Sequence, residues 1–203
     1  MGNREDLLAG AKRCLIEKGY AATTARDIAA TSGVSLAAIG YHFGSKDALM
    51  NQAVFESIGE WGQDLQDALA AAGPVEPDRP LVHFEAVMRQ TLDSFGGPNS
   101  GLWRAQLELL SLAQTNEDLR AFLAGVQEIA GTGLAELFLG IDPATEPEAA
   151  RSAGVVMHAM FIGLIAKYFL DPAHAPSALE LADGLSVITD RVTAKAAGEV
   201  RSS

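Results

Sequence analysis

Side chains able to do acid–base, nucleophilic or metal chemistry are few in this sequence and stand far apart. The four histidines, His42, His83, His158 and His174, are at least 16 residues from one another, without the i, i+4 spacing that puts two ligands on one helical face. There is no GxSxG elbow, no glycine-rich phosphate loop and no HExxH pair. Cys14 is the single cysteine, which excludes an internal disulfide and a cysteine-built zinc site. It lies on or beside the apolar stripe of its segment and reads as a structural thiol. A redox-sensing role stays open. The expectation is a protein that is not an enzyme and holds no metal or cofactor.

What the sequence does carry is a recognition pattern between Thr24 and Phe43, TARDIAATSGVSLAAIGYHF. Two short helices that cross closely need a small residue where their backbones approach, and Ala29 fills that place. The turn between them needs a residue tolerant of positive φ, and Gly33 supplies it four residues later. Ile39, six residues further on, can then plug back against the first helix, with Ile28 and Val34 completing a small core. This is the spacing of a DNA-binding helix-turn-helix, although an ordinary αα-hairpin could carry it too. Thr24 followed by Asp27 is a capping-box start for the first of the two helices, and Ser35 stands where the second needs a cap.

The elements that would position this pair are helical throughout. Leu7, Ala11 and Leu15 give a preceding helix that stops near Lys18–Gly19. Ser45 caps a long following helix, whose apolar residues Val54, Ile58, Trp61 and Leu65 keep the 3.6-residue period to Ala71 without a proline. Gly73, Pro74, Pro77 and Pro80 mark a loop and a subdomain boundary. Further stripes follow: Phe84, Met88, Thr91, Phe95; then Leu102, Ala105, Leu109, Leu112; then Phe122, Val126, Ile129, Leu137. Ser152–Leu170 is apolar nearly all round, and Leu181, Leu185, Ile188 and Val192 mark the last helix. No strand-like alternation and no repeat interrupts them. The prediction is an all-α chain of about nine helices, with a helix-turn-helix unit over 1–45 and a helical body over 46–203.

Composition agrees with a folded chain: 48% of the 203 residues are hydrophobic and 20% charged. The N-terminus is charged where a secretory signal would be apolar, and the longest uncharged apolar run, 152–166, is 15 residues, short of the roughly 20 that cross a bilayer. The expectation is therefore a soluble, cytoplasmic protein with no membrane partner. The net charge of −11 argues against a nucleic-acid partner until it is divided. Residues 1–50 hold six Lys/Arg and five Asp/Glu, so nearly all the excess acid lies beyond them.

The segment 23–55, TTARDIAATSGVSLAAIGYHFGSKDALMNQAVF, resembles the N-terminal domain of the TetR/AcrR regulators, and His42-Phe43-Gly44-Ser45-Lys46-Asp47-Ala48-Leu49 matches that family's signature. The likeness covers about a quarter of the chain, without gaps. It implies that residues 35–43 form the recognition helix, lying in the major groove of an operator. Tyr41 and His42 match family positions that contact phosphates and sometimes bases. Lys46, with the amides that begin its helix, matches a phosphate clamp. Thr24 is similarly placed, and Arg26 can reach a phosphate or base. Phe43 would pin the recognition helix to the first. Ser-Leu-Ala-Ala-Ile-Gly-Tyr-His lacks the polar or basic residue many members carry at Leu36 and the aromatic at Gly40. Leu36, Ala37 and Ala38 would then meet thymine methyls and allow close approach rather than form bidentate bonds, with Ser35 at the helix start a further candidate DNA contact.

The resemblance further implies a ligand-responsive regulator, a repressor released from a palindromic operator when a small molecule enters the body and shifts the long fourth helix. Phe84, Met88, Trp103, Leu107 and Phe161 are the predicted lining of a pocket among helices five to eight, with Phe95 beside them. His83, Gln106, Glu108 and His158 are possible polar contacts, and a largely apolar or aromatic inducer is expected. The same residues would serve equally as ordinary core. The last two helices read as a homodimer interface, with Gly154, Ala159 and Gly163 allowing close approach. Two further readings stay open: an activator, and a TetR-like sensor that acts through protein contacts with little DNA affinity.

Overall fold

A computed structural model describes residues 3–72 and 79–199. The described residues form nine α-helices and no strand: α1 Asn3–Lys18, α2 Ala25–Ser32, α3 Leu36–Phe43, α4 Lys46–Ala72, α5 Pro80–Gly96, α6 Ser100–Leu112, α7 Glu117–Leu139, α8 Pro147–Leu170 and α9 Ala178–Glu199. The predicted break at Gly73, Pro74 and Pro77 lies outside the described residues. Pro80 opens α5 at the helix position where a missing N–H costs nothing.

Local chemistry sets the ends of the first helices. Gly19 closes α1 at φ +87° and Gly33 closes α2 at φ +70°, both in the left-handed region that glycine adopts without penalty. Thr24 and Asp27 form a reciprocal capping box at the start of α2. Ser35 occupies the N-cap of α3 without a side-chain capping bond. Ser45 does cap α4, accepting from Ala48 N at 3.0 Å.

α1, α2 and α3 share a core of Leu7, Ala11, Cys14, Leu15, Ile28 and Ile39, all buried. Cys14 is fully buried, its Sγ 3.4 Å from Thr31 Oγ1. α1 comes close to α2 at Gly10, where a Cβ would come within 2.8 Å of Ser32 Cβ. Ala29, expected at a close crossing, is only half-buried.

In the body, α7 and α8 form a hairpin whose axes meet at Gly131 and Gly154. A Cβ on Gly154 would sit 2.6 Å from the Gly131 carbonyl carbon. Gly154 therefore serves a contact within the chain rather than the partner contact expected of it. α9 packs on α5, with Ala178 and Ala182 buried and Leu181 and Leu185 half-buried against the core. The predicted α9 stripe consequently splits, because Ile188 and Val192 lie outside this contact and are exposed. α8 is 24 residues, longer than the 15-residue run seen in sequence, and both it and α7 are long and apolar enough to cross a membrane by length and composition. Their apolar residues have other uses here: α8 contributes Met157, Phe161, Leu164 and Ile165 to the core, and both helices line an internal cavity.

Candidate nucleic-acid interface and adjoining cavity

α2, the Gly33 turn and α3 present one exposed surface. Tyr41 is 86% exposed and Leu36 is 48% exposed, each large for an apolar or aromatic side chain with no core function. Thr24, Arg26 and Ser35 are exposed, whereas Ala38 and His42 are half-buried. The Tyr41 and His42 rings meet edge to face at 4.8 Å. Phe43 packs against the core, with the Arg4 guanidinium 5.0 Å above its ring, so it does tie α3 to α1.

The basic side chains of this unit are mostly spoken for. Lys18 is paired with Asp27, which also accepts from the Thr24 amide and hydroxyl. These bonds hold the Asp27 carboxyl well below its usual range. Arg13 donates to Thr31 O at 2.7 Å. Lys46 reaches Asp47 at 3.0 Å, Thr23 O at 3.4 Å and the face of Tyr20 at 5.5 Å. Arg26 is the one described basic residue of the first fifty with no such intramolecular contact. Lys46 is thus half-engaged rather than free, and Arg26 is the cation most available to an outside partner.

Gly40 lies mid-helix on the exposed side of α3, and a Cβ there would meet nothing within 4 Å. An interior helical glycine costs about 0.5–1 kcal/mol relative to alanine, so its presence needs a reason outside the free chain. Close approach of a DNA backbone is such a reason. Gly40→Ala is expected to stabilise the fold by roughly that amount while weakening operator binding, to be checked by thermal unfolding and fluorescence anisotropy.

The same unit is clamped along α4. Tyr20 donates to Asn51 Oδ1 at 2.7 Å, Arg4 to Gln52 Oε1 at 3.1 Å, and Lys12 pairs with Glu56 at 3.0 Å and Glu60 at 2.7 Å. Burial pushes the Tyr20 phenol up to about 12. Burial also opposes the charge on Lys12, but its bonds to Glu60 and Glu56 outweigh this and raise its pKa.

Interleaved with those residues, Phe55, Ile58, Gly59, Trp61, Gly62 and Gln66 of α4 line a cavity of about 310 Å³. α6 adds Trp103 and Gln106, α7 adds Val126, Ile129, Gly133 and Glu136, and α8 adds His158, Phe161 and Ile162. A neighbouring pocket of about 300 Å³ shares Phe55, Ile58, Gln106, Val126, His158 and Ile162. Trp61, Trp103 and Phe161 pack edge to face or tilted at 4.7–5.7 Å and make one aromatic wall. Among the described residues, neither Lys nor Arg lines either space. Burial pushes the His158 imidazole below its ordinary value, which favours the neutral ring at pH 7.

Of the predicted lining residues, the structure brings Trp103 and Phe161 to this cavity, with Gln106 and His158. It does not bring Phe84, Met88, Phe95 or Leu107: the first three are fully buried core, and Leu107 is half-buried against that core. His83 faces Leu137 O at 2.9 Å, and Glu108 accepts from Ala21 N at 3.1 Å, so both lie outside the wall. The cavity is walled by α4, α6, α7 and α8; α5 takes no part. The missed α4 and α7 residues carried no separate signal in sequence. Gly59, Gly62 and Gly133 are mid-helix glycines where a Cβ would meet nothing within 4 Å. Gly40, Gly125, Gly163 and Gly184 have equally open surroundings away from this cavity, so a mid-helix glycine does not by itself mark the space.

Comparison with known proteins agrees with this architecture. Residues 7–53 match the model of "Bacterial regulatory proteins, tetR family". The chain is 28% identical over 196 residues to the HTH-type transcriptional regulator BetI of Brucella anthropi, covering 97% of this chain and 94% of that one. It is 41% identical over 49 residues to the HTH-type transcriptional repressor AcnR of Corynebacterium efficiens, covering 24% of this chain and 26% of that one. A transcriptional regulator of Streptomyces coelicolor A3(2) shares the fold with a TM-score of 0.65 and 21% identity, over 92% of this chain and 98% of that one. These relatives are regulators rather than enzymes. With its capped helix-turn-helix and its all-helical body, the chain is similar to the TetR family of transcriptional regulators, and the family model itself matches the helix-turn-helix unit.

Proposed function

We propose that this regulator is a homodimeric repressor, released from a palindromic operator when a small, largely apolar or aromatic molecule occupies the α4/α6/α7/α8 cavity. Members of the family bind operators and small molecules, usually as dimers. In this reading residues 1–45 read DNA through Thr24, Arg26, Ser35, Leu36, Ala38, Tyr41, His42 and Lys46. Residues 46–203 bind the ligand and the partner subunit. The observation that carries the proposal is the double use of α4. Gln52, Glu56 and Glu60 hold α1 and Asn51 holds Tyr20 just beyond it, while Phe55, Ile58, Gly59 and Gly62, on the same turns, line the cavity. A ligand that displaces this stretch of α4 displaces the reading unit with it. Such a ligand shifts the equilibrium only by its differential affinity for the two positions.

Filling the cavity tests this. N-phenyl-1-naphthylamine, a neutral apolar fluorophore, is expected to bind with enhanced emission and to quench Trp61 and Trp103, the protein's two tryptophans. Gly62→Leu places a branched side chain into the empty space and is expected to weaken the probe by about tenfold or more, about 1.4 kcal/mol, with operator affinity retained. Unchanged probe binding would place the site elsewhere.

One observation favours the protein-contact sensor as a second reading. Five of the six basic side chains in the first fifty residues are occupied within the chain. A titration of the protein with promoter and scrambled duplexes over a salt series separates the two.

A further inference from the structure

We infer that α6 is a second link between the cavity and the reading unit, alongside α4, and that Glu108 is the positioning residue through which it acts. The inference rests on reading the cavity as the effector site.

α6 is fixed to the N-terminal unit at two points two helical turns apart. At the first, the backbones of Gly101 and Ile16 touch. A Cβ on Gly101 would lie 2.1 Å from Ile16 O and 2.7 Å from its C and Cα, so no other residue fits without moving α6 off α1. At the second, Glu108 Oε2 accepts from Ala21 N at 3.1 Å. Its other oxygen, Oε1, occupies the space beside Gly19 that a Cβ would enter, at 2.7 Å. Gly19 needs its φ of +87° to end α1, and its missing side chain makes room for the Glu108 carboxylate.

The gripped segment leads straight into the recognition motif. Thr23, two residues after Ala21, is buried and donates to Gly19 O at 2.6 Å and Cys14 O at 3.3 Å. Thr24 follows as the cap of α2. Between the two anchor points, α6 sends Trp103 and Gln106 into the cavity. Trp103 is fully buried, stacked edge-on against Trp61 of α4 and bonded through Nε1 to Ser94 Oγ at 3.1 Å. Gln106 has no hydrogen-bond partner among the described residues and is placed to take one from a ligand. A 13-residue helix is a rod of roughly 20 Å. A ligand that pushes Trp103 or turns Gln106 therefore moves Glu108, and with it the Gly19–Ala21 bend that sets the angle of α2.

The test measures coupling directly. An operator duplex is selected from random DNA, and the dissociation constant of N-phenyl-1-naphthylamine is measured with and without that duplex at saturation, for the full chain. Binding linkage is reciprocal, so the ratio of the two constants is the coupling, expected to be about fivefold or more in the wild type. In Glu108→Ala the free protein is expected to bind the probe within about twofold of wild type while the ratio falls below about twofold. Glu108→Gln keeps an amide oxygen to accept from Ala21 N–H and is expected to restore most of the ratio. A wild-type ratio retained in Glu108→Ala would overturn the inference, even if both affinities fell together, since that is what a merely structural role produces. A ratio of one in the wild type itself would instead remove the effector-site reading beneath it, and the inference with it.

Discussion

Ile188→Asp is expected to convert the protein to a monomer and to cost operator affinity a factor of about one hundred or more. In the chain alone Val156 on α8 is 63% exposed, and Ile188 and Val192 on α9 are 62% and 65% exposed. Ala159 and Gly163, also exposed, continue the α8 face at helical spacing. A row of branched apolar side chains interrupted by small residues suits a close helix-to-helix contact and is costly to leave in water. Within the chain α9 spends its buried residues on α5, which leaves this face available for a second copy. In a two-fold interface each substitution occurs twice, and each buried, unpaired carboxylate costs several kcal/mol. Two reading units held together bind successive half-sites with an effective concentration near the millimolar range, and that gain disappears in a monomer. Sedimentation equilibrium gives the mass and anisotropy the affinity. A variant that stays dimeric would move the interface off this face. A monomer that keeps full operator affinity would remove the two-headed account.

Arg26→Ala is expected to weaken operator binding by about 1–3 kcal/mol, roughly 5- to 150-fold, with no loss of thermal stability. The side chain is exposed, one residue into α2, and free of intramolecular partners, so its removal costs the fold nothing visible. Lys46→Ala should cost less, because its ammonium already has Asp47, Thr23 O and the Tyr20 ring for company. The salt series distinguishes the role of Arg26. A phosphate contact lowers the slope of log K against log salt by about one per reading unit, whereas a base contact changes discrimination between sequences instead. A larger effect at Lys46 than at Arg26 would reverse this ranking.

The parts of the molecule that local chemistry controls were legible in the residues. Gly33 has the positive φ that its turn required, Thr24 and Asp27 form their box, and Ile28 and Ile39 fill the small core. The all-helical architecture followed from periodicity. Periodicity does not say whether a buried face meets another side chain or a void, and the cavity was misplaced for that reason. Phe84 and Met88 have the same spacing as a pocket lining and are core, while Phe55 and Ile58 on α4 face the space. Small residues were ambiguous in the same way: Gly154 permits the α7 crossing, whereas Gly62 borders nothing. Glu108 showed no pattern at all, because its partner is a backbone amide 87 residues away.

Binding of the purified protein to its own promoter DNA tests sequence-specific recognition most directly. Fluorescence anisotropy over a salt series is expected to give an affinity well above that for a scrambled duplex, falling steeply as salt rises and reduced in Arg26→Ala. Equal and feeble binding to both duplexes at low salt, repeated with operators selected from random DNA, would contradict the account and favour a sensor that works through protein contacts.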